Sequence, residues 1–293
     1  MNIVKEKPKG APAVAAAGGE AYAHIRVKKL TAVIGAEIEG VDIGAGLTPA
    51  LVDEIKRAFH ENLVIFFRDQ HLSHDQHVAF GRLFGELHCH PAAPSEPGRP
   101  ELMIIAADEN SSRANGEAWH TDVSCEEEPP LGSILYIKET PPVGGDTLFA
   151  NMYAAYEALS PQMKTYLEGL KAVHDGEHVY RNLYPDVSAA EKPRYPVARH
   201  PIIRTHPVTR KKCLYVNSGF TTHIEGVSRD ESDAVLRYLF THMAHPAFQC
   251  RFRWTANAVA FWDNRCAQHH AVWDYWPNRR YGNRVTIKGD RPF

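Results

Sequence analysis

The 293-residue chain predicts a mixed α/β (α+β) fold: a double-sheet β-sandwich or a double-stranded β-helix (jelly roll) core, carrying helical insertions. Three observations predict it. Strand-like segments dominate both ends and the middle, helical periodicity appears between them, and neither a glycine-rich phosphate loop nor an alternating strand and helix rhythm is present.

The elements follow in order. "HIRVKKLTAVIGAEIEGVDI" alternates loosely with period two and predicts strands. "TPALVDEIKRAFHEN" offers Thr48 as N-cap, Pro49 at the first helical position, and Leu51, Ile55 and Phe59 on one face, so a helix follows. "LVIFFRDQ" is apolar, β-branched and aromatic, which predicts a buried strand. "SHDQHVAFGRLFGEL" returns to helical spacing behind a Ser73 cap. "ELMIIAAD", "GSILYIKET" and "GGDTLFAN" read as strands, and "MYAAYEALS" and "PQMKTYLEGLKAVH" as helices. "HPIIRTHP", "KCLYVN", "QCRFRWTANAVAFWDN" and "RRYGNRVTIKG" read as further strands, with a helix at "ESDAVLRYLFTHMA". Two long polar connections, "ENSSRANGE" and the stretch from Asp175 to Arg199, have the character of lids over a site.

Bulk properties narrow the function. A formal charge of −2 supplies no field for nucleic acid or an anionic membrane, which points to a small-molecule partner. No apolar run is long enough for a membrane helix. Five scattered cysteines without C-x-x-C spacing fit neither a disulfide framework nor a zinc–thiolate site, so a reducing cytoplasm is the expected location. Residues 1–22, rich in Ala, Gly, Pro and Lys, are expected to be a disordered tail ahead of a single domain over 23–293.

The chemistry begins with "EAWHTDVSC". On a strand, residues i and i+2 share a face, so His120 and Asp122 can aim at one ion. Two histidines and one carboxylate suit Fe(II), because they leave positions open for a cosubstrate and O2. The same spacing recurs at His223 and Glu225, however, so the pair alone does not identify a site. His71, His74 and His77 read as solvated or capping residues, and the extended "LHCHP" places His88 and His90 on one face without a neighbouring carboxylate. His269 and His270 are adjacent, so only one of them faces a site from extended backbone. Near the C-terminus, Arg280 and Arg284 share strand parity, opposite Val285 and Ile287. Two inward guanidiniums call for anions inside the fold.

Taken together, "FFRDQ", "FGELHCHP", "WHTDVS", "GGDTLFAN", "RTHPVT", "VNSGFTT" and "WDNRCAQHHAVWDY", followed by Arg279 and Arg280, "RVTI", Gly289–Asp290 and Pro292–Phe293, resemble the Fe(II)/2-oxoglutarate dioxygenases of the TauD/TfdA type. The resemblance runs from about Ile25 to Phe293. It implies His120, Asp122 and His269 as iron ligands, the last chosen over His270. It further implies Thr147 and Arg280 as the holders of the distal carboxylate of 2-oxoglutarate, and His90, Arg284, Phe220 and Val123 as substrate-binding residues. The implied reaction uses O2, releases succinate and CO2, and hydroxylates a small organic anion. Next to a sulfonate or sulfate group, such hydroxylation collapses to an aldehyde with loss of sulfite or sulfate. Members acting on taurine carry Tyr and Asn where this chain has Ala93 and Gly116, which predicts a roomier pocket and a substrate larger than taurine, lined in part by Tyr180, Leu183 and Tyr184. An aryloxyalkanoate is the alternative substrate. A homo-oligomer, dimer or tetramer, is expected by the same resemblance. Two other classes are a non-catalytic anion-binding β-sandwich and a metal-dependent lyase or hydrolase on a jelly-roll scaffold. Thr147 and Arg280, which neither would need, weigh against both.

Overall fold

The computed structural model describes residues 21–113, 115–183 and 195–293. Most of the expected tail, and Tyr184, lie outside the described residues. Tyr22, assigned to the tail, is anchored: its hydroxyl donates to Glu61 at 2.8 Å and its ring lies 3.9 Å beneath Arg57.

The chain enters through β1 (Arg26–Lys29), β2 (Ala36–Glu39), α1 (Pro49–Asn62), β3 (Val64–Phe67) and α2 (His74–Arg82). Both helices start where the capping residues predict. Thr48 accepts from the Leu51 amide, and Ser73 forms a reciprocal capping box with Gln76. Then come β4 (Leu87–His88), β5 (Ser95–Glu96), β6 (Arg99–Ala107), β7 (Gly132–Glu139) and β8 (Thr147–Asn151), followed by α3 (Met152–Glu157), α4 (Pro161–Leu167), β9 (Lys171–Asp175) and α5 (Glu177–Leu183). The remainder is β10 (Val197–Pro201), β11 (Ile203–Thr205), β12 (Lys212–Leu214), β13 (Thr221–Ile224), a helix over Arg229–Met243, β14 (Gln249–Phe252), β15 (Ala258–Asp263), β16 (Ala267–Ala271) and β17 (Arg280–Ile287).

Among the described residues, one nine-stranded sheet runs β1-β2-β3-β15-β7-β17-β6-β5, with β4 also on β17. A three-stranded sheet, β14-β8-β16, carries His269 and His270 on β16. Strand alternation divides the large sheet into two faces. Ala258, Ala260 and Trp262 of β15 join Leu135 and Ile137 of β7 in a core shared with Phe149 and Phe252 of the small sheet. Val259, Phe261, Ile134, Tyr136, Val285 and Ile287 face the other way and pack on Ile55, Phe59, Val78 and Phe80 of α1 and α2. Stacked rings seal both sides, Phe66 on Phe252 at 3.8 Å and Phe59 on Phe261 at 4.0 Å.

Several segments depart from the pattern reading. The helix expected over Pro161–His174 stops at Leu167, and Gly169 turns the chain at φ +80° into β9. The Ala172–His174 part of that run is buried against β10 and β13, and pairing there overrides helical spacing. The expected loop after Asp175 contains α5, and β13 was not foreseen. His77, read as solvated, is 1% exposed, its Nε2 within 3.1 Å of the Ile134 carbonyl.

Candidate active site

His120 and His269 belong to different segments that meet through an isolated antiparallel bridge. Their backbones exchange hydrogen bonds of 3.1 and 2.9 Å, so the two side chains emerge on one face, with ring centroids 4.1 Å apart. His270 points away and packs edge-on against Trp119. Asp122 does not use strand parity. It sits in a turn whose next residue, Val123, has φ +50°, and that turn swings the carboxylate toward the imidazoles. Asp122 Oδ1 lies 3.8 Å from His120 Nε2 and 4.0 Å from His269 Nε2.

The donor set suits a cation. His120 Nδ1 donates to the Ala118 carbonyl at 2.8 Å, so its Nε2 presents a lone pair. Burial pushes the pKa values of both imidazoles down. At Asp122 burial favours the neutral acid, but the Arg284 guanidinium and the two histidines outweigh it and hold the carboxyl below its usual range. Asp122 Oδ1 and the Nε2 atoms of both imidazoles thus converge, with the His120 nitrogen presenting its lone pair. A second group, His206, Asp263 and Cys266, is equally close together, but its donors are already used. His206 Nδ1 accepts from the Val208 and Thr209 amides, its Nε2 meets Asp263, and Arg265 forks onto the same carboxylate.

The triad opens onto a cavity of about 300 Å³. The residues to which the resemblance assigns metal, cosubstrate or substrate roles all line it: His90, His120, Asp122, Val123, Thr147, Phe220, His269, Arg280 and Arg284. Arg280 and Arg284 project from the same face of β17, their Cα atoms about 13 Å apart by strand rise. Arg280 is buried beside Trp254, its guanidinium 5.4 Å from the ring, and its Nε has no protein partner. Thr147 Oγ1 accepts the Trp254 indole N–H at 2.9 Å, which leaves the hydroxyl hydrogen for something in the cavity. The other arginine also has a partner within the protein. Arg284 Nη1 donates to Asp122 Oδ1 at 2.6 Å and Nη2 meets Met103 sulfur at 3.2 Å, with Nε unpaired. His90 Nδ1 accepts from the Ala92 and Ala93 amides, so its proton resides on Nε2, and burial and Arg284 push its pKa down to about 3. It is a neutral hydrogen-bond donor.

Val123, Tyr180 and Phe220 form an apolar wall together with Ala92 and Cys125. Of the two positions expected to enlarge the pocket, Gly116 lines it, and Ala93 instead supports His90 from its backbone. Gly116 has φ +90°, and a Cβ there would stand 3.1 Å from His120 Cε1. Both expected lids contribute lining residues, Arg113 and Glu117 from one and His178 and Tyr180 from the other. The side chain of Leu183 lies outside the described residues. His223 and Glu225 are not part of the site, and Glu225 pairs with Arg199. His88 does acquire a carboxylate, Glu126 at 2.8 Å. Sequence reasoning missed Ser133, whose hydroxyl donates to Asp122 Oδ2 at 2.6 Å, and Asn264, which contacts both. The signal for Ser133 was a polar residue in phase with Leu135 and Ile137 on the core face of an apolar strand.

A mixed helix and sheet fold, with two imidazoles and a carboxylate facing a cavity that also holds two buried arginines, defines a non-haem metal oxygenase class. Comparison with known proteins agrees. The family model described as taurine catabolism dioxygenase TauD, TfdA family matches residues 26–286, and the chain belongs to that family. It is 37% identical to the alpha-ketoglutarate-dependent sulfate ester dioxygenase of Pseudomonas putida, over 88% of each chain. It is 35% identical to the alpha-ketoglutarate-dependent sulfonate dioxygenase of Saccharomyces cerevisiae, over 93% of this chain and 69% of that one. The crystal structure of a taurine dioxygenase from Burkholderia xenovorans superposes with a TM-score of 0.80 at 39% identity, covering 92% of this chain and 91% of the other. The chain is therefore an alpha-ketoglutarate-dependent dioxygenase, an oxidoreductase whose cofactor is Fe(II) and whose cosubstrates are 2-oxoglutarate and O2.

Proposed function

We propose that the protein hydroxylates a small organic sulfonate or sulfate ester, larger than taurine, and releases sulfite or sulfate with an aldehyde. The observation that carries this reading is a single cavity holding a cation-ready donor triad and two buried arginines on one strand. His120, Asp122 and His269 hold the iron. Bound iron supplies the redox chemistry by which O2 and 2-oxoglutarate become succinate, CO2 and one oxygen atom inserted into a substrate C–H bond. Arg280 binds the far carboxylate of 2-oxoglutarate through its fork, seconded by the Thr147 hydroxyl. Arg284 and the neutral His90 Nε2–H grip the substrate anion, so that the carbon beside it faces the triad. Val123, Tyr180 and Phe220 take the organic portion and keep water from it. The names of the relatives favour sulfonates and sulfate esters.

The reading extends to the whole molecule. The large sheet and β14-β8-β16, facing each other across the cavity, are the two halves of a double-stranded β-helix, in one catalytic domain over 23–293. No helix among the described residues is long and apolar enough to cross a membrane. We place the enzyme in the cytoplasm as a dimer or tetramer, which light scattering on the purified protein tests.

The decisive experiment is anaerobic titration of the Fe(II) protein with 2-oxoglutarate, followed by alkyl sulfates, longer sulfonates, taurine and aryloxyacetates in turn. A weak visible charge-transfer band is expected with 2-oxoglutarate, perturbed by a sulfate ester or long sulfonate and hardly by taurine. A band perturbed only by aryloxyacetates would move the substrate class to carboxylates. Absence of the band in iron-loaded protein would leave an anion-binding protein.

A further inference from the structure

Asp122 lies in a turn, so no strand or helix periodicity aims its carboxylate, yet both of its oxygens are committed. The source of that order lies outside the turn. Ser133, at the start of β7 and fully buried, donates its hydroxyl hydrogen to Asp122 Oδ2 at 2.6 Å. The direction of this bond is set by Asn264, 1% exposed, just beyond β15. Asn264 Oδ1 receives the Trp262 indole N–H at 2.9 Å and the Asp122 backbone N–H at 3.2 Å. Both of these groups can only donate, so the amide cannot be flipped. Its Nδ2 must therefore face Ser133, where it donates to Oγ at 3.0 Å. With Oγ accepting from the amide, the serine hydrogen has Asp122 Oδ2 as its acceptor. The Asn264 backbone carbonyl also receives the Thr121 hydroxyl at 2.6 Å, which pins the residue preceding Asp122.

From this chain of donors we infer that Ser133, oriented by Asn264, is a positioning residue that occupies Asp122 Oδ2, so that Oδ1, which also accepts from Arg284 Nη1 at 2.6 Å, is the oxygen turned to the two imidazoles. The inference rests on the iron-site reading given above and deepens it. Three protein donors leave three positions in a six-coordinate site, and 2-oxoglutarate with O2 needs all three. A carboxylate gripping through both oxygens competes for one of them. The Ser133 hydrogen bond discourages that grip and also fixes the side-chain rotamer, the kind of support that metal-ligating carboxylates commonly receive from their neighbours.

The test compares wild type with Ser133→Ala, Ser133→Thr and Asn264→Asp. Mn(II) affinity is measured by calorimetry on metal-free protein, 2-oxoglutarate affinity at saturating Mn(II), and the fold by thermal melting. Ser133→Ala is expected to weaken Mn(II) binding by about 10- to 100-fold, and Ser133→Thr, which keeps the hydroxyl, to restore it. Asn264→Asp keeps the shape but accepts the serine hydrogen instead of donating to its oxygen, so it is expected to weaken Mn(II) binding like the alanine variant. A role in stability alone would lower the melting temperature while leaving the metal affinity of the folded variants at the wild-type value, and that result overturns the inference. If Ser133→Ala does not fold, Ser133→Cys, with its weak S–H donor, makes the same comparison. Wild type that takes up no Mn(II) overturns the iron-site reading itself, and the positioning role with it. Wild type that binds normally beside an unaffected Ser133→Ala overturns only the positioning role.

Discussion

At the scale of single residues, the proposed function assigns the two arginines of β17 to two different anions. Their shared parity was legible in "RRYGNRVTI", because alternation along one strand needs no knowledge of the rest of the fold. The contact between Arg284 and Asp122 was not legible, since it joins segments distant in sequence. That contact shapes the expected behaviour of variants. Arg280→Ala removes a charged fork and is expected to weaken 2-oxoglutarate binding by about 10- to 100-fold, the equivalent of about one charged hydrogen bond. Arg284→Lys keeps a positive charge beside Asp122 but loses the fork. It is expected to raise the KM for the organic anion about tenfold while leaving the dissociation constant for 2-oxoglutarate near wild type. Equal effects of both variants on 2-oxoglutarate binding would refute this division. The neutrality of His90 adds a further constraint: with its pKa near 3, it donates throughout the pH range in which the folded protein is assayed.

At the scale of elements, β17 is the strand on which the site depends, and Gly282 is its narrowest point. It lies between the two arginines, opposite Ile137 of β7, where a Cβ would come within 2.2 Å of the Tyr136 carbonyl oxygen. A backbone atom cannot yield as a flexible side chain can, so Gly282→Ala must push β17 away from β7. The expected result is a loss of about 2–3 kcal/mol in urea unfolding, together with weaker 2-oxoglutarate binding as Arg280 moves. Unchanged unfolding would show that the strand pair is looser than the structure indicates. The sequence revealed most elements through caps and alternation, including α1, α2, β7 and β17. It failed at β9, where a run that fits helical spacing is claimed by pairing with β10 and β13, and at the turn after His120, where the required geometry is a positive φ at a valine. No local propensity announces either.

At the scale of the whole molecule, the polar interior behind the site makes stability depend on pH. His174 and His200 both reach Ser124, two residues beyond Asp122, and His77 lies against β7. Burial is the largest cause that lowers their pKa values, to about 3, 4 and 4 for His174, His200 and His77. An unfolded imidazole titrates near 6.5. Between that value and the folded values the unfolded chain binds protons that the native chain refuses, so stability is full above about pH 6.5 and is lost as pH falls toward 4. Each histidine contributes a slope of at most about 1.4 kcal/mol per pH unit in that window. The lowered Asp122 and Asp263 act in the same direction further into acid. The melting temperature is therefore expected to fall as pH is lowered from 7 to 5, and His77→Gln to flatten part of the slope; a melting temperature constant over that range would contradict it. The sequence by itself determined which faces of β7, β15 and β17 are apolar, which residue types are available as donors, and that two cations would point inward. Those properties follow from periodicity within one element and from the chemistry of each side chain. Only the tertiary structure decided that His269 meets His120 across a bridge, that a turn aims Asp122, that Ser133 and Asn264 hold it, and that Arg284 touches it. Convergence of separate segments depends on strand register and packing, and neither is written in any single stretch of sequence.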